Sequence, residues 1–240
     1  GKRHQIVLAS KVGKPMGPGK SGLSPAYIRQ AVEDSLTRLQ TDVIDLYQSH
    51  DDDATTPMED SLGAFDDLIK AGKVRAIGAS NYSTQRLRAA LDASAAGGLP
   101  RYETLQPLYN LYDRRAYEGD LQDLCVAESI GVIPYYGLAS GFLTGKYRSD
   151  ADFGKSVRGG RMASYLNDRG RAILAGLDAV AAATKGTPAQ VALAWLMRRP
   201  GIAAPIASAT NLVQLADLTA AMHLELDAQQ MGLLDAASAD

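Results

Sequence analysis

The chain has 240 residues, of which 46% are hydrophobic and 22% charged, a composition typical of a large globular domain and not of a disordered chain. Its net charge of -2 excludes an overall field that would attract nucleic acid or an anionic membrane surface. The single cysteine, Cys125, excludes an internal disulfide, and no apolar segment is long enough to span a membrane. We therefore expect a cytoplasmic protein in which Cys125, set in a helical pattern, is a small core residue.

Six short apolar segments predict β-strands, and amphipathic helical segments lie between them. The predicted strands are residues 5–10, 43–48, 74–79, 103–106, 132–136 and 203–208. Alternation of strand and helix is typical of a parallel α/β sheet. Because nearly all local signals agree, the sequence predicts one domain over residues 1–240.

Four polar residues stand where helices are predicted to begin, and three of them are followed by proline. They are Ser24, Thr56, Thr187 and Asn211. Such residues accept hydrogen bonds from the first free N–H groups of a helix. After Thr56 and Thr187, a glutamate or glutamine three residues later predicts a capping box.

The number of strands indicates the fold class. A (β/α)8 TIM-type barrel needs about 250 residues for eight βα units, or roughly thirty residues per unit. Six predicted strands account for six such units. We therefore expect an α/β fold of this barrel type, with the first two βα units absent from this chain.

Polar residues stand at or near the ends of all six predicted strands. They are Lys11, His50, Asn81, Gln106, Tyr135 and Ser208. Because barrel enzymes keep their active sites at the carboxyl ends of parallel strands, this pattern predicts one site lined by these side chains. Taken singly, Lys11 could be a solvated or salt-bridged lysine and His50 a structural histidine.

Six sequence motifs contain or flank these residues. They are LASK at 8–11, DLYQSH at 45–50, GKVRAIGASN at 72–81, LQPLYN at 105–110, LASGFLTGKY at 138–147 and APIASATNLVQL at 204–215. In this order, and over nearly the whole chain, they resemble the successive signatures of the aldo-keto reductases. The resemblance implies an oxidoreductase that transfers a hydride from NADPH to a small aldehyde or ketone. The charge balance, for its part, predicts neither nucleic acid nor a membrane as partner.

The resemblance implies two catalytic residues in this chain. Lys11 would be the lysine that lowers the pKa of a proton-donating tyrosine, and His50 would orient the substrate carbonyl. The family's tyrosine and aspartate belong to the strand before Lys11, so we expect residues 1–240 alone to be inactive. Tyr47 should face the other side of its strand from His50, and Tyr82 could replace the tyrosine only by swinging out of a loop.

The resemblance also implies the cofactor contacts. The nicotinamide would meet Ser80, Asn81, Gln106 and Tyr135. The pyrophosphate would meet Leu138, Ser140, Gly141 and Lys146. The adenosine end would meet Ser208, Thr210 and Gln214. Many family members have arginine in place of Thr210 and asparagine in place of Leu218, so NAD(H) stays open beside NADP(H).

Three alternatives remain beside the reductase. The run Asp51–Asp53 could indicate a metal, but no second histidine or cysteine completes a ligand set, and adjacent carboxylates after a strand are expected to be solvated. The chain could be a non-catalytic nicotinamide-binding or regulatory barrel. It could also be a lyase that forms a Schiff base on Lys11, although this would leave Asn81, Gln106 and Tyr135 without a role.

Overall fold

The computed structural model describes residues 1–155 and 159–239, and the chain forms two compact units. The first unit comprises Gly1–Pro107 and Asp120–Val132, and the second comprises Leu108–Gly119 and Ile133–Asp240. Residues 156–158 and 240, which fall within the predicted domain, lie outside the described residues. One domain over residues 1–240 stays a prediction.

The first unit contains a parallel sheet of five strands hydrogen-bonded in chain order. The strands are β1 (Ala9–Val12), β2 (Ile44–Ser49), β3 (Val74–Ser80), β4 (Tyr102–Gln106) and β5 (Gly131–Val132). The helices that alternate with them are α1 (Pro25–Leu39), α2 (Met58–Lys70), α3 (Thr84–Gly97) and α4 (Asp120–Ala127). The predicted alternation of strand and helix in a parallel sheet is confirmed here.

The core of the first unit lies between the sheet and its helices. Phe65 of α2 is fully buried and meets the rings of Tyr47 and Tyr102 edge-on, at centroid distances of 6.0 and 6.4 Å. Each such side chain contributes about 1.5–3 kcal/mol through burial. Cys125 of α4 is also fully buried, which raises the pKa of its thiol to about 12 and confirms it as a core residue.

The first strand begins later than predicted. Residues Arg3–Gln5 form a 3-10 turn, and Ile6 and Val7 are 54% and 79% exposed. Regular pairing with β2 runs from Ala9, opposite Leu46, to Val12, opposite Ser49. The apolar composition of residues 5–8 predicts a strand, but a ladder forms only where a partner strand lies alongside.

The helix caps agree with the sequence except at Thr56. The Ser24 hydroxyl accepts from the Tyr27 N–H at 3.4 Å, and Thr187 forms the expected capping box. The capping box predicted at Thr56 is wrong, because Pro57 occupies the cap position of α2 without a side-chain bond. The Thr56 hydroxyl instead donates to Asp53 at 2.8 Å, since an ionised carboxylate is the stronger acceptor.

The second unit is helical in its described part. Its α-helices are α5 (Asp168–Thr184), α6 (Pro188–Met197), α7 (Leu212–Ala220) and α8 (Ala228–Ala237). Short 3-10 segments occur at Ala139–Thr144, Asp150–Lys155, Gly159–Ser164 and Ala221–His223. Trp195 of α6 is fully buried and donates its indole N–H to Asp235 of α8 at 2.9 Å. Among the helices in described residues, none is long and apolar enough to cross a membrane.

The predicted sixth strand, residues 203–208, does not form. The segment makes one backbone bond, from the Ile206 N–H to the Pro134 carbonyl at 2.9 Å. Pro205 has no N–H to donate to a ladder. The fifth predicted strand is also shorter than expected, since β5 ends at Val132 and Tyr135 forms only an isolated parallel bridge with Leu108.

Candidate active site

Four predicted site residues lie together at one edge of the sheet in the first unit. Lys11 is the third residue of β1, His50 directly follows β2, Asn81 directly follows β3, and Gln106 ends β4. Neighbouring strands lie about 4.8 Å apart, and parallel strands present their carboxyl ends at the same edge. We call these four residues the carboxyl edge.

The positive charge of Lys11 acts on His50. The backbone N–H of His50 donates to the backbone carbonyl of Val12 at 2.8 Å, which fixes the backbone of His50 beside β1. Burial lowers the pKa of Lys11. Burial also lowers the pKa of His50, and the positive charge of Lys11 lowers it further, whereas Asp51 acts in the opposite direction. A neutral imidazole is therefore favoured beside a cation at this edge.

Asn81 is held by the segment that follows β2. Its backbone has a left-handed φ of 58°, a conformation that asparagine tolerates better than most residues. Its side-chain N–H groups donate to the His50 carbonyl at 3.0 Å and to Asp51 Oδ1 at 2.8 Å. The ends of β2 and β3 are thus joined through one amide.

Ser80 and Gln106 are both buried, and each bonds within the sheet. The Ser80 hydroxyl donates to the backbone carbonyl of Gln106 at 2.9 Å. The Gln106 amide donates to Gln48 Oε1 at 3.3 Å. The Ser80 hydroxyl therefore joins the ends of β3 and β4.

Gln48 and Thr104 are polar residues of this sheet that sequence reasoning missed. Gln48 pairs with Lys11 and Gly78, and Gly78 pairs with Thr104. A Cβ at Gly78 would overlap the Thr104 hydroxyl, so glycine provides the space for these side chains. The Gln48 Nε2 and the Thr104 Oγ1 are buried and make no hydrogen bond. The signal was present, since Gln48 lies two residues before His50 and strand alternation places both on one face.

The sequence suggested that the three carboxylates after His50 are simply solvated. In the structure, each of them makes specific contacts with the protein. Asp52 bonds Arg86 twice, at 2.7 and 2.8 Å, while Asp51 contacts Asn81 and pairs with Lys14. Although burial acts against it, hydrogen bonds from Thr55, Leu23 and Thr56 hold the pKa of Asp53 well below its ordinary value. Each carboxylate therefore has its own contacts. No group of three or more potential metal ligands occurs within residues 1–155 and 159–239.

Neither Tyr47 nor Tyr82 is placed as a proton donor at the carboxyl edge. Tyr47 packs against Phe65 of α2, so it lies on the helix side of the sheet, as strand alternation predicted. Tyr82 is only 3% exposed and hydrogen-bonds the Tyr102 hydroxyl at 3.3 Å. Burial raises the pKa of both phenols. The structure thus holds Tyr82 in the core and not in a mobile loop.

Tyr135 lies in the second unit and contacts its neighbour in the chain. The rings of Tyr135 and Tyr136 meet edge-on at 5.2 Å. Tyr136 has a left-handed φ of 57°, so the extended backbone of the strand does not continue through it.

The predicted pyrophosphate residues lie in a tight turn of the second unit. Leu138 precedes three consecutive left-handed residues, Ala139, Ser140 and Gly141, with φ values of 46°, 57° and 101°. Such backbone is costly for residues other than glycine and is concentrated at functional sites. A Cβ at Gly141 would lie 3.7 Å from Lys146 Nζ, so the ammonium group lies against the backbone of this turn.

The predicted adenosine residues are exposed and lie in or before α7. Gln214 Oε1 accepts from the Thr210 N–H at 2.8 Å and from the Thr210 hydroxyl at 3.0 Å. The Gln214 N–H donates to the Asn211 side chain at 2.9 Å, which confirms the predicted cap. Thr210 and Gln214 are therefore brought together at the start of α7, while Ser208 lies in the irregular segment before them.

Comparison with known proteins adds to this geometry. The Aldo/keto reductase family matches residues 1–239. Protein tas of Escherichia coli is 31% identical over 261 residues, covering 98% of this chain and 75% of that protein. Aldo-keto reductase yakc of Schizosaccharomyces pombe, whose name specifies NADP(+), is 30% identical over 94% of this chain and 67% of its own length. L-glyceraldehyde 3-phosphate reductase of Escherichia coli O157:H7 is 29% identical over 99% of this chain and 71% of its own length. This chain belongs to the aldo/keto reductase family of oxidoreductases.

Proposed function

We propose that this protein is a carbonyl reductase that uses NADPH to reduce an aldehyde or a ketone. The observation that carries the proposal is the carboxyl edge, where Lys11 and His50, both with a lowered pKa, lie beside the amides of Asn81 and Gln106. The names of two relatives, an NADP(+)-dependent aldo-keto reductase and a reductase of a phosphorylated aldehyde, support the cofactor and the substrate class.

The carboxyl edge has the groups that a nicotinamide carboxamide needs. A carboxamide offers both a donor and an acceptor, and amide side chains match it with groups of both kinds. Asn81 and Gln106 supply amides, and Gln48 Nε2 is a buried donor without a hydrogen-bond partner. Burying such a donor unpaired is costly, so a polar ligand that reached it would remove the penalty.

In the proposed reaction, His50 and Lys11 act on the carbonyl oxygen. When bound, NADPH supplies the hydride that the carbonyl carbon accepts. His50, neutral because its pKa is lowered, would donate a ring N–H to the oxygen and hold the carbonyl in position. The Lys11 ammonium would stabilise the negative charge that grows on that oxygen. The oxygen would take its proton from a tyrosine hydroxyl of the kind that the family resemblance implies, since Tyr47 and Tyr82 are packed in the core.

For the second unit we propose a phosphate-binding role. The left-handed turn at Ala139–Gly141 and the Lys146 ammonium combine close backbone approach with a positive charge, and both features favour a phosphate. NADH is the second cofactor candidate, because residues 201–240 contain neither lysine nor arginine to pair with a 2′-phosphate.

Fluorescence titration of the purified chain with NADPH and with NADH tests the proposal. We expect saturable binding of NADPH and little reduction of an activated aldehyde by residues 1–240 alone. A lower Kd for NADH would assign that cofactor instead. If neither cofactor binds, the proposed function is wrong.

Two other functions make different predictions in the same preparation. A non-catalytic nicotinamide-binding protein would bind NADPH but would not reduce the aldehyde. It would remain inactive even in a variant that has a tyrosine hydroxyl placed to donate a proton. Burial lowers the pKa of Lys11, as a Schiff-base lysine requires. Covalent trapping of a carbonyl compound on Lys11 by borohydride, independent of NADPH, would therefore favour a lyase.

A further inference from the structure

Three buried hydroxyl groups meet on the helix side of the sheet, behind the carboxyl edge. The hydroxyls of Ser49 and Tyr102 lie 2.8 Å apart, and those of Tyr102 and Tyr82 lie 3.3 Å apart. Each of these side chains is at most 3% exposed. A hydroxyl donates one hydrogen bond and can accept two, so Tyr102 at the centre can bond both of its neighbours. We call the three residues the hydroxyl network.

The hydroxyl network is joined to the carboxyl edge through the backbone. Ser49 ends β2 and directly precedes His50, while Tyr82 directly follows Asn81. Tyr102 begins β4, and β3 lies between β2 and β4 in the sheet. The side chain of Tyr102 therefore connects the end of β2 to a strand that is not its neighbour in the sheet.

We propose that Tyr102 is a positioning residue, whose hydroxyl group fixes the end of β2 and thereby the direction of His50. The inference rests on the proposed function, since that function gives His50 its role at the carbonyl. Successive residues of a strand point to opposite faces, so a bond that holds Ser49 on the helix side keeps His50 directed at the other side. A displacement of about 1 Å in a group that orients the substrate can lower a rate by about 100-fold.

Strand β2 contains a second buried hydroxyl that is held in a different way. The ring of Tyr47, three residues before His50, packs against Phe65, and its hydroxyl makes no hydrogen bond. Apolar contacts are not directional, whereas a hydrogen bond weakens steeply when its angle changes. The hydroxyl network therefore restricts the end of β2 more closely than the packing of Tyr47 does.

The pKa of His50 reports its position in the absence of cofactor and substrate. Burial lowers this pKa, the charges of Lys11 and Lys14 also lower it, and Asp51 raises it. If the end of β2 is released, His50 becomes less buried, so its pKa should rise. A residue that contributed only to stability would change the urea midpoint and leave the pKa of His50 in the folded chain unchanged.

NMR titration of His50 in three variants tests the positioning. Tyr102→Phe removes the central hydroxyl, and we expect the pKa of His50 to rise. Tyr47→Phe is the matched control, because it removes from β2 a buried hydroxyl that makes no hydrogen bond, and the pKa of His50 should not change.

The triple variant Ser49→Ala, Tyr82→Phe, Tyr102→Phe separates positioning from stability. Removing all partners of a buried hydrogen bond costs less than leaving some of them unpaired. The triple variant should therefore unfold at a higher urea concentration than Tyr102→Phe, while the pKa of His50 stays raised, because the directional bonds are still missing.

The positioning is overturned if the pKa of His50 is unchanged in Tyr102→Phe, rises equally in Tyr47→Phe, or returns to its original value in the triple variant. Should Tyr102→Phe not fold, the triple variant decides by the same titration, because it leaves none of the three hydroxyls unpaired.

The rate of an active reductase that contains this chain distinguishes the positioning from the proposed function. There, Tyr102→Phe should lower kcat about tenfold, as expected for a displaced orienting group, and Tyr47→Phe should leave kcat unchanged. A raised pKa of His50 with an unchanged kcat would support the positioning and contradict the role of His50 at the carbonyl.

Discussion

The two units hold their candidate site residues by different physical means. In the first unit, the carboxyl edge is attached to strands whose backbone is fixed by a parallel ladder, and burial lowers the pKa of Lys11 and His50. In the second unit, Ser140 and Gly141 lie in a left-handed turn, and Lys146 is exposed. The hydrogen-bonded strands suit chemistry in which side chains must point in a fixed direction and have a shifted pKa. The turn suits phosphate binding, which needs a backbone that a phosphate can approach closely and a positive charge nearby.

The largest expected effect tests whether the reduction of the carbonyl depends on residues of the first unit. In an active reductase that contains this chain, we expect His50→Ala to lower kcat by about 10²–10³, the range for the loss of one hydrogen-bond donor to a developing oxyanion. NADPH binding should persist, because His50 would contact the carbonyl. His223→Ala, which changes an exposed histidine of the second unit, is the control. Steady-state kinetics measure the effect. An unchanged kcat in His50→Ala would contradict the role that we propose for His50.

The next effect tests the turn of the second unit. Lys146→Met should weaken NADPH binding about tenfold, because one charged contact to a phosphate is lost. Lys155→Met is the matched control, since Lys155 lies in the same segment but pairs with Asp152 at 2.7 Å. Equal Kd values for the two variants would contradict the phosphate-binding role of Lys146.

A smaller effect concerns the stability of the sheet in the first unit. Thr104→Val should stabilise the fold by about 1 kcal/mol, because it removes a buried hydroxyl that makes no hydrogen bond. Ser80→Ala should destabilise the fold by about 1 kcal/mol, because it removes a buried hydroxyl that bonds Gln106. Urea unfolding of both variants gives the comparison. Changes of the same sign would show that the hydrogen bonding of these hydroxyls does not control the stability.

The smallest effect is a shift in the titration of His50. Lys11→Met should raise the pKa of His50, because removal of a positive charge makes the imidazolium less unfavourable. Lys20→Met is the control, since Lys20 pairs with Asp34 of α1. NMR titration of the three histidines measures the shift. A pKa of His50 that is the same in Lys11→Met would mean that the two groups are not electrostatically coupled.

The sequence predicted well those features that depend on neighbours in the chain. The caps at Ser24, Thr187 and Asn211 form as expected, since each bond joins residues three positions apart. Cys125 is a core residue as its helical pattern indicated. The motifs led to the aldo-keto reductases, and the family match over residues 1–239 confirms both the family and its (β/α)8 fold class.

The candidate site was predicted in part. Strand ends placed Lys11, His50, Asn81 and Gln106 at one edge, because parallel strands in sequence order present their ends together. Their roles, and those of the second unit's residues, stay predictions. The contribution of Gln48 and Thr104 was missed, because a motif does not reveal which buried polar atoms lack a partner.

What the sequence by itself determined is therefore local: which segments form helices, where capped helices begin, and which family signatures follow one another. The tertiary structure decided which apolar segments join a ladder, so that residues 203–208 do not. It also decided that Asp51 accepts a hydrogen bond from Asn81, thirty residues further along the chain. The reason is physical, since a cap is completed within four residues, whereas a ladder or a hydrogen bond between distant residues depends on partners that only the folded chain brings near.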